Sequence, residues 1–113
     1  MNIGQNPPAG LDIRLTQSAS DFRKVIVVRG IVFIEEQGVP YDGEVDEYEE
    51  SAVHVLGELD GQPVAAGRLR FLDDGQCKLE RIAVRPAWRG QGIAKAMVAF
   101  LMEEAARRGA ENL

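Results

Sequence analysis

The stretch Arg89-Gly90-Gln91-Gly92-Ile93-Ala94-Lys95 constrains this chain more than any other. It lies between the apolar run Leu79–Val84 and the amphipathic run Ile93–Arg108. That order predicts a strand, a glycine-rich turn and a helix. Such a turn leaves several backbone N–H groups without partners, gathered at the positive end of the helix dipole. The spot suits a phosphate or pyrophosphate. Gly90 and Gly92 remove the Cβ atoms that would keep a ligand off the backbone. Arg89 and Lys95 add cationic side chains.

The loop is not of the nucleotide-triphosphate type, because no Gly-Lys-Ser/Thr follows four free positions. It is not the dinucleotide fingerprint either, whose third glycine is missing: Gly90 and Gly92 are followed by Ile93, Ala94 and Lys95. The pattern is Arg-x-x-Gly-x-Ala across Arg89, Gly92 and Ala94. With the preceding Ile82-Ala83-Val84-Arg85-Pro86, it resembles the GCN5-related N-acetyltransferase (GNAT) superfamily, whose loop is Gln/Arg-x-x-Gly-x-Gly/Ala. A second resemblance lies upstream. Val32-Phe33-Ile34-Glu35-Glu36-Gln37-Gly38-Val39-Pro40, Glu44-Val45-Asp46-Glu47 and His54-Val55-Leu56 are similar to one subgroup of uncharacterised bacterial acetyltransferases. Gly67-Arg68-Leu69-Arg70 fits that subgroup's third strand. The resemblance covers Leu11 to Leu113.

A chain of 113 residues holds one domain at most. Hydrophobic residues make up 45%, enough for a packed core, and aromatics only 6%, so that core is mostly Val, Leu, Ile and Ala. No run approaches the ~18 apolar residues of a membrane span. Residues 1–10 lack the pattern of a signal peptide and are expected to be a flexible lead-in; residues 11–113 form the domain. Cys77 is the only cysteine, so no intrachain disulfide or cysteine metal cage is expected, and a reducing, cytoplasmic setting is the default expectation. The net charge of −5 argues against general nucleic-acid binding. Its distribution is uneven. Glu35 to Glu50 holds eight acids and no Lys or Arg, whereas Arg68 to Lys95 holds seven bases against three acids. That polarity suits a protein that holds an anionic cofactor and attracts a cationic amine. A solvated acidic loop is the plainer alternative.

Along the chain, Leu11–Thr16 alternates as a half-buried strand. Ser18-Ala19-Ser20-Asp21 is a helix-capping pattern. In Phe22–Gln37, the runs Val25–Val28 and Ile31–Ile34 flank Arg29-Gly30, and propensity allows a hairpin as well as a helix. The family resemblance favours the helix, with Gly30 inside it. Gly38–Ser51 is an acidic loop with a short helical turn. Ala52–Leu59 and Pro63–Phe71 are strands joined at Asp60-Gly61. Asp73-Asp74-Gly75 turns into the fourth strand, Gln76–Val84. Gly92–Arg108 is a helix whose apolar face is Ile93, Ala96, Met97, Phe100, Leu101 and Ala105. The expected fold is α/β (α+β): a mostly antiparallel sheet flanked by helices, in the order β-α-(α)-β-β-β-α. Superfamily members continue with a strand, a helix and a closing hairpin that this sequence does not include. The edge of strand four is therefore expected to be covered by further chain or by a second copy in a homodimer.

The resemblance implies acetyl-CoA as co-substrate and a small-molecule or peptide amine as acceptor, with no metal, nucleic acid or membrane. It places the pantetheine arm on the backbone of Ile82, Ala83 and Val84. The pyrophosphate falls on Arg89, Gly90, Gln91, Gly92, Ile93, Ala94 and Lys95. Glu80 is a candidate general base, because period-two alternation puts it on the face of Ile82. Glu36 and Tyr41 flank the expected acceptor entrance and are further candidates. His54 is the only histidine and titrates near neutrality when unperturbed, though a lone strand histidine is more often structural. A CoA-binding regulatory or scaffolding module without catalysis is the alternative function.

Overall fold

A computed structural model describes residues 6–112. The first five residues of the expected lead-in, and Leu113, lie outside them. Four strands, β1 (Asp12–Leu15), β2 (Val53–Leu59), β3 (Gln62–Phe71) and β4 (Cys77–Val84), form one antiparallel sheet in chain order. The helix α1 (Ala19–Arg29) runs directly into a π-helical segment, Gly30–Glu36. A short helix, α2 (Tyr41–Glu44), lies in the acidic loop, and α3 (Ile93–Arg107) follows the glycine turn.

The helices cover opposite faces of the sheet, and the alternation of each strand sorts its side chains between them. Val25 and Val28 of α1, with Val32, bury against Leu56, Ala66 and Ala83. Ile93, Met97, Leu101 and Ala105 of α3 bury against Val55, Leu59, Leu69, Cys77 and Val84. α3 comes very close to the sheet at Gly67, where an added Cβ would lie 2.8 Å from Leu101 Cδ1. The expected apolar face of α3 holds, with Glu104 added to it. Arg107 and Arg108 bind that buried carboxylate and hold its pKa down.

Ser18 caps α1 as expected, its side-chain oxygen accepting from the Asp21 N–H at 3.1 Å. The Asp60-Gly61 turn has positive φ at both residues, the backbone a two-residue hairpin requires. Phe22–Gln37 is helical, and Gly30 marks the change from α to π winding. There the Gly30 N–H reaches both Ile26 O and Val27 O. After α3 the chain turns back. Cys77 N donates to Asn112 O at 2.8 Å, and Gln76 and Asn112 form a parallel bridge on the outer edge of β4.

Candidate functional site

β4 ends at Val84, and the chain passes through the turn Pro86–Trp88 into the glycine loop. Gly90 and Gly92 have φ of +79° and +83°, a region L side chains rarely adopt, so this path needs glycine at both positions. Gly92 is also the residue that opens α3, and no side-chain oxygen caps that helix. Its first-turn N–H groups are therefore left for an outside acceptor. Val84, Trp88, Arg89, Gly90, Gly92, Ile93, Ala94 and Lys95 line a concavity there. The structure thus gathers the predicted phosphate-loop residues around one hollow, except Gln91, which stays off its lining. Trp88 packs on the α3-side core, with the Arg85 guanidinium over its ring.

Arg89 is exposed, yet its guanidinium is tied down within the protein. Its Nε donates to Val84 O at 2.8 Å, and its two terminal nitrogens donate to the two Glu36 oxygens at 2.7 and 2.6 Å. Glu36 ends the π segment, so the loop is tied to the α1 side of the molecule. The guanidinium holds the Glu36 carboxyl below its ordinary range.

A second, partly apolar cavity lies against β4, lined by Phe33, Val39, Gly43, Glu44, Arg81 and Ile82. Two irregularities shape it. The π segment supplies Phe33. Arg81, with φ of +52°, is an extra residue in β4: Arg68 pairs with Glu80 and Ala66 with Ala83, leaving two residues opposite one. This is a β-bulge.

The bulge overturns the expectation that Glu80 shares the face of Ile82. Ile82 packs with the α3-side core, whereas Ala83 belongs to the α1-side core. Glu80 lies on the α1 side, where it accepts from Arg68 Nη2 at 2.9 Å and from Arg70 Nε at 3.0 Å. These arginines keep the Glu80 carboxyl below its ordinary range, which weakens it as a proton acceptor.

The acidic run is also not a uniform anionic surface. Arg29, fully buried, donates to Glu44 Oε1 at 2.5 Å and to both oxygens of Glu49, at 2.8 and 2.6 Å. Arg68, also buried, donates to both oxygens of Asp46, at 2.8 and 2.9 Å. Arg81 reaches Asp46 at 3.1 Å as well as the Gly43 and Glu44 carbonyls. With Glu36 on Arg89, four acids of the run are thus paired within the protein, and the Asp46 carboxyl is lowered to about 2, chiefly by Arg68. Glu35, Asp42, Glu47 and Glu50 remain exposed. Sequence reasoning missed Glu44, Arg29, Arg68 and Arg81 as a connected group. Its one visible signal was the acid run facing the base run.

Tyr41, the first residue of α2, is exposed. His54 is buried beside the Phe22 ring, and its Nε2 donates to Glu49 O at 2.7 Å. Burial pushes its pKa down. Cys77 is buried, and burial pushes its thiol pKa up. Among the described residues no group of His, Cys, Asp and Glu could hold a metal ion. No helix among them is long and apolar enough to cross a membrane.

Comparison with known proteins identifies the family of the chain. Residues 22–113 match the model of the acetyltransferase (GNAT) family. YjcF of Bacillus subtilis, described as an uncharacterised N-acetyltransferase, is 35% identical over 98 residues, which span 87% of this chain and 69% of that protein. YyaT, an uncharacterised protein of the same organism, is 33% identical over 102 residues, spanning 88% and 68%. Among solved structures, an acyl-CoA N-acyltransferase from Pseudomonas aeruginosa superposes with a TM-score of 0.80 at 27% identity, over 89% of this chain and 74% of that one. A Brucella melitensis GNAT-family acetyltransferase, solved in complex with acetyl-CoA, shares the fold with a TM-score of 0.72 at 21% identity, over 88% and 71%. With its glycine loop opening α3 beside a bulged fourth strand, the chain belongs to the acetyltransferase (GNAT) family.

Proposed function

We propose that this chain is an acyl-CoA-dependent N-acyltransferase that moves acetyl from acetyl-CoA to a primary amine by direct attack. The observation that carries this reading is the course of β4. Val84 lines the glycine-loop hollow, Ile82 lines the second cavity, and Ala83 joins them. The pyrophosphate would rest on the N–H groups at the start of α3, and the pantetheine arm on the backbone of Ile82–Val84. The thioester would then lie where the amine enters, between Phe33, Val39 and Ile82. The amine nitrogen attacks the thioester carbonyl carbon. A C–N bond forms, the C–S bond breaks, and CoA leaves as the thiol with the proton the amine gives up. Phe33, Val39 and Ile82 suit an amine carried on an apolar body, while the charged lining residues Glu44 and Arg81 are already paired within the protein.

One observation favours CoA binding without turnover. Glu80 and Glu36 are both held by arginines and are poor proton acceptors. A single experiment separates the two readings. CoA binding is measured by calorimetry, and thiol release from acetyl-CoA is followed with a panel of primary amines. Amine-dependent release supports transfer. Binding with no release for any amine supports the binding module. No binding removes both.

A further inference from the structure

We infer that the Arg89–Glu36 pair is a positioning clasp that stays closed when the cofactor binds, setting the cofactor loop against the wall of the second cavity. The inference rests on the proposed acetyl-CoA site. Arg89 has five N–H donors in a rigid fork, and three of its bonds are already made inside the protein. Val84 O fixes the root of the fork at the end of β4. The two Glu36 oxygens take one terminal nitrogen each, the fork-to-fork geometry that lysine cannot copy.

What the clasp joins gives it a function. On one side is the loop whose N–H groups open α3. On the other is the final turn of the π segment, which carries Phe33, with Gln37 N bonded to Val32 O and Val39 N to Phe33 O. Phe33 and Val39 line the second cavity. Glu36 therefore stands between the acceptor wall and the cofactor loop, and among the described residues no other ion pair links these two segments. Two of the five donors stay open to an anion with the clasp closed, whereas a phosphate that drew Arg89 away would have to break two short bonds to a carboxylate and leave Glu36 facing the anion. The backbone N–H groups of α3 carry no such cost. In this arrangement Arg89 sets the angle of the loop while the peptide groups meet the phosphate.

The two roles predict opposite signs for one variant. If Arg89 is a phosphate ligand competing with Glu36, Glu36→Gln frees the cation, removes a nearby negative charge and tightens acetyl-CoA binding. If the pair is a clasp, Glu36→Gln weakens binding about three-fold, the scale of a well-oriented exposed pair. Arg89→Lys should weaken it by a similar factor although the charge is kept. The double variant should be no worse than either single one, because both break the same contact. In turnover, KM for acetyl-CoA and for the amine should rise, while kcat stays within two-fold.

A measurement on the ligand-free protein tests the clasp separately from the cofactor reading. Hydrogen exchange at the bonded amides on either side of the clasp, Ala96 at the loop end and Gln37–Val39 at the end of the π segment, should speed up in Glu36→Gln, with exchange in the middle of α1 and of α3 unchanged. Weaker, non-additive binding with faster exchange at these amides supports the clasp. Tighter binding, additive losses or unchanged exchange there overturns it. If the parent chain binds no acetyl-CoA, the proposed function fails, and the exchange of these amides alone decides the clasp.

Discussion

Replacing Arg29 with Met tests the most buried charge among the described residues. Arg29 is 0% exposed, and Glu44 beneath it is 3% exposed. The guanidinium makes four hydrogen bonds, to Glu44 Oε1, to Glu44 O and to the two Glu49 oxygens. Met keeps much of the volume but leaves the buried Glu44 carboxylate without its main partner. Breaking a buried pair from one side costs about 3–5 kcal/mol. The lower end applies here, because Arg68 stays 3.4 Å from Glu49 and Arg81 stays 3.9 Å from Glu44. For a chain of this size, about 3 kcal/mol lowers the melting temperature by roughly 12 °C. Thermal melts followed by circular dichroism at pH 7 measure it directly. The pH dependence adds a signed check. Arg29 is the main group holding the Glu49 pKa down. A carboxylate with a lowered folded pKa stabilises the protein above its unfolded pKa, and that stabilisation fades as pH falls through the folded value. The variant has lost most of this contribution, so the two proteins should converge in stability as acid is added. A loss under roughly 1 kcal/mol at pH 7, or a gap that widens in acid, would show that the pair behaves like a solvated surface bridge.

Gly92→Asp places a side chain at φ +83° and a negative charge at the start of α3, so calorimetry on the folded variant should show acetyl-CoA affinity reduced more than ten-fold. Gly67→Ala pushes a methyl against Leu101, costing about 1–2 kcal/mol in urea melts, and Leu101→Val in the same chain should recover part of it. Asp46 is lowered from 3.8 to about 2, so it stabilises the fold above pH ~3.8 and ceases to as pH falls toward 2. Acid titrations should therefore find Asp46→Asn less stable than the parent at pH 6 and nearly equal to it at pH 2.

The sequence made most of the fold legible, because each strand and the long helix carry their own period and punctuation. Asp60-Gly61 announced its hairpin, and Gly92 with Ile93–Ala105 announced the start and buried face of α3. Segment 22–37 was ambiguous for a physical reason. Its β-branched runs suit a strand as well as a helix, and burial against Leu56 and Ala66 decides the matter only once the sheet exists. The cofactor loop was legible because its chemistry is local: two glycines and a helix start lie within a few residues. The ionic group was not, since Arg29, Glu44, Arg68 and Glu80 meet only through tertiary pairing. Glu80 was placed on the wrong face because alternation assumes an unbroken pleat, and no residue type marks Arg81 as the extra one.

Two single-residue insertions, one in a helix and one in a strand, therefore wall the second cavity. The π turn is an α turn with a residue to spare, and the bulge at Arg81 is a ladder with a residue to spare. Each lets its element break step for one position and then resume. The room between Phe33 and Ile82 is a product of those two miscounts, so it is sensitive to chain length as well as to side-chain identity. Deleting Arg81 would restore the pleat, turn Glu80 and the residues before it to the opposite face, and unseat the arginines that hold the acidic loop. A library of one-residue deletions across residues 28–36 and 78–84 should lose folding or acceptor binding at these positions, while the Asp73–Gly75 turn tolerates them. Exchanging one lining side chain for another alters the walls of such a cavity, whereas removing a residue from either element removes the offset that makes the space.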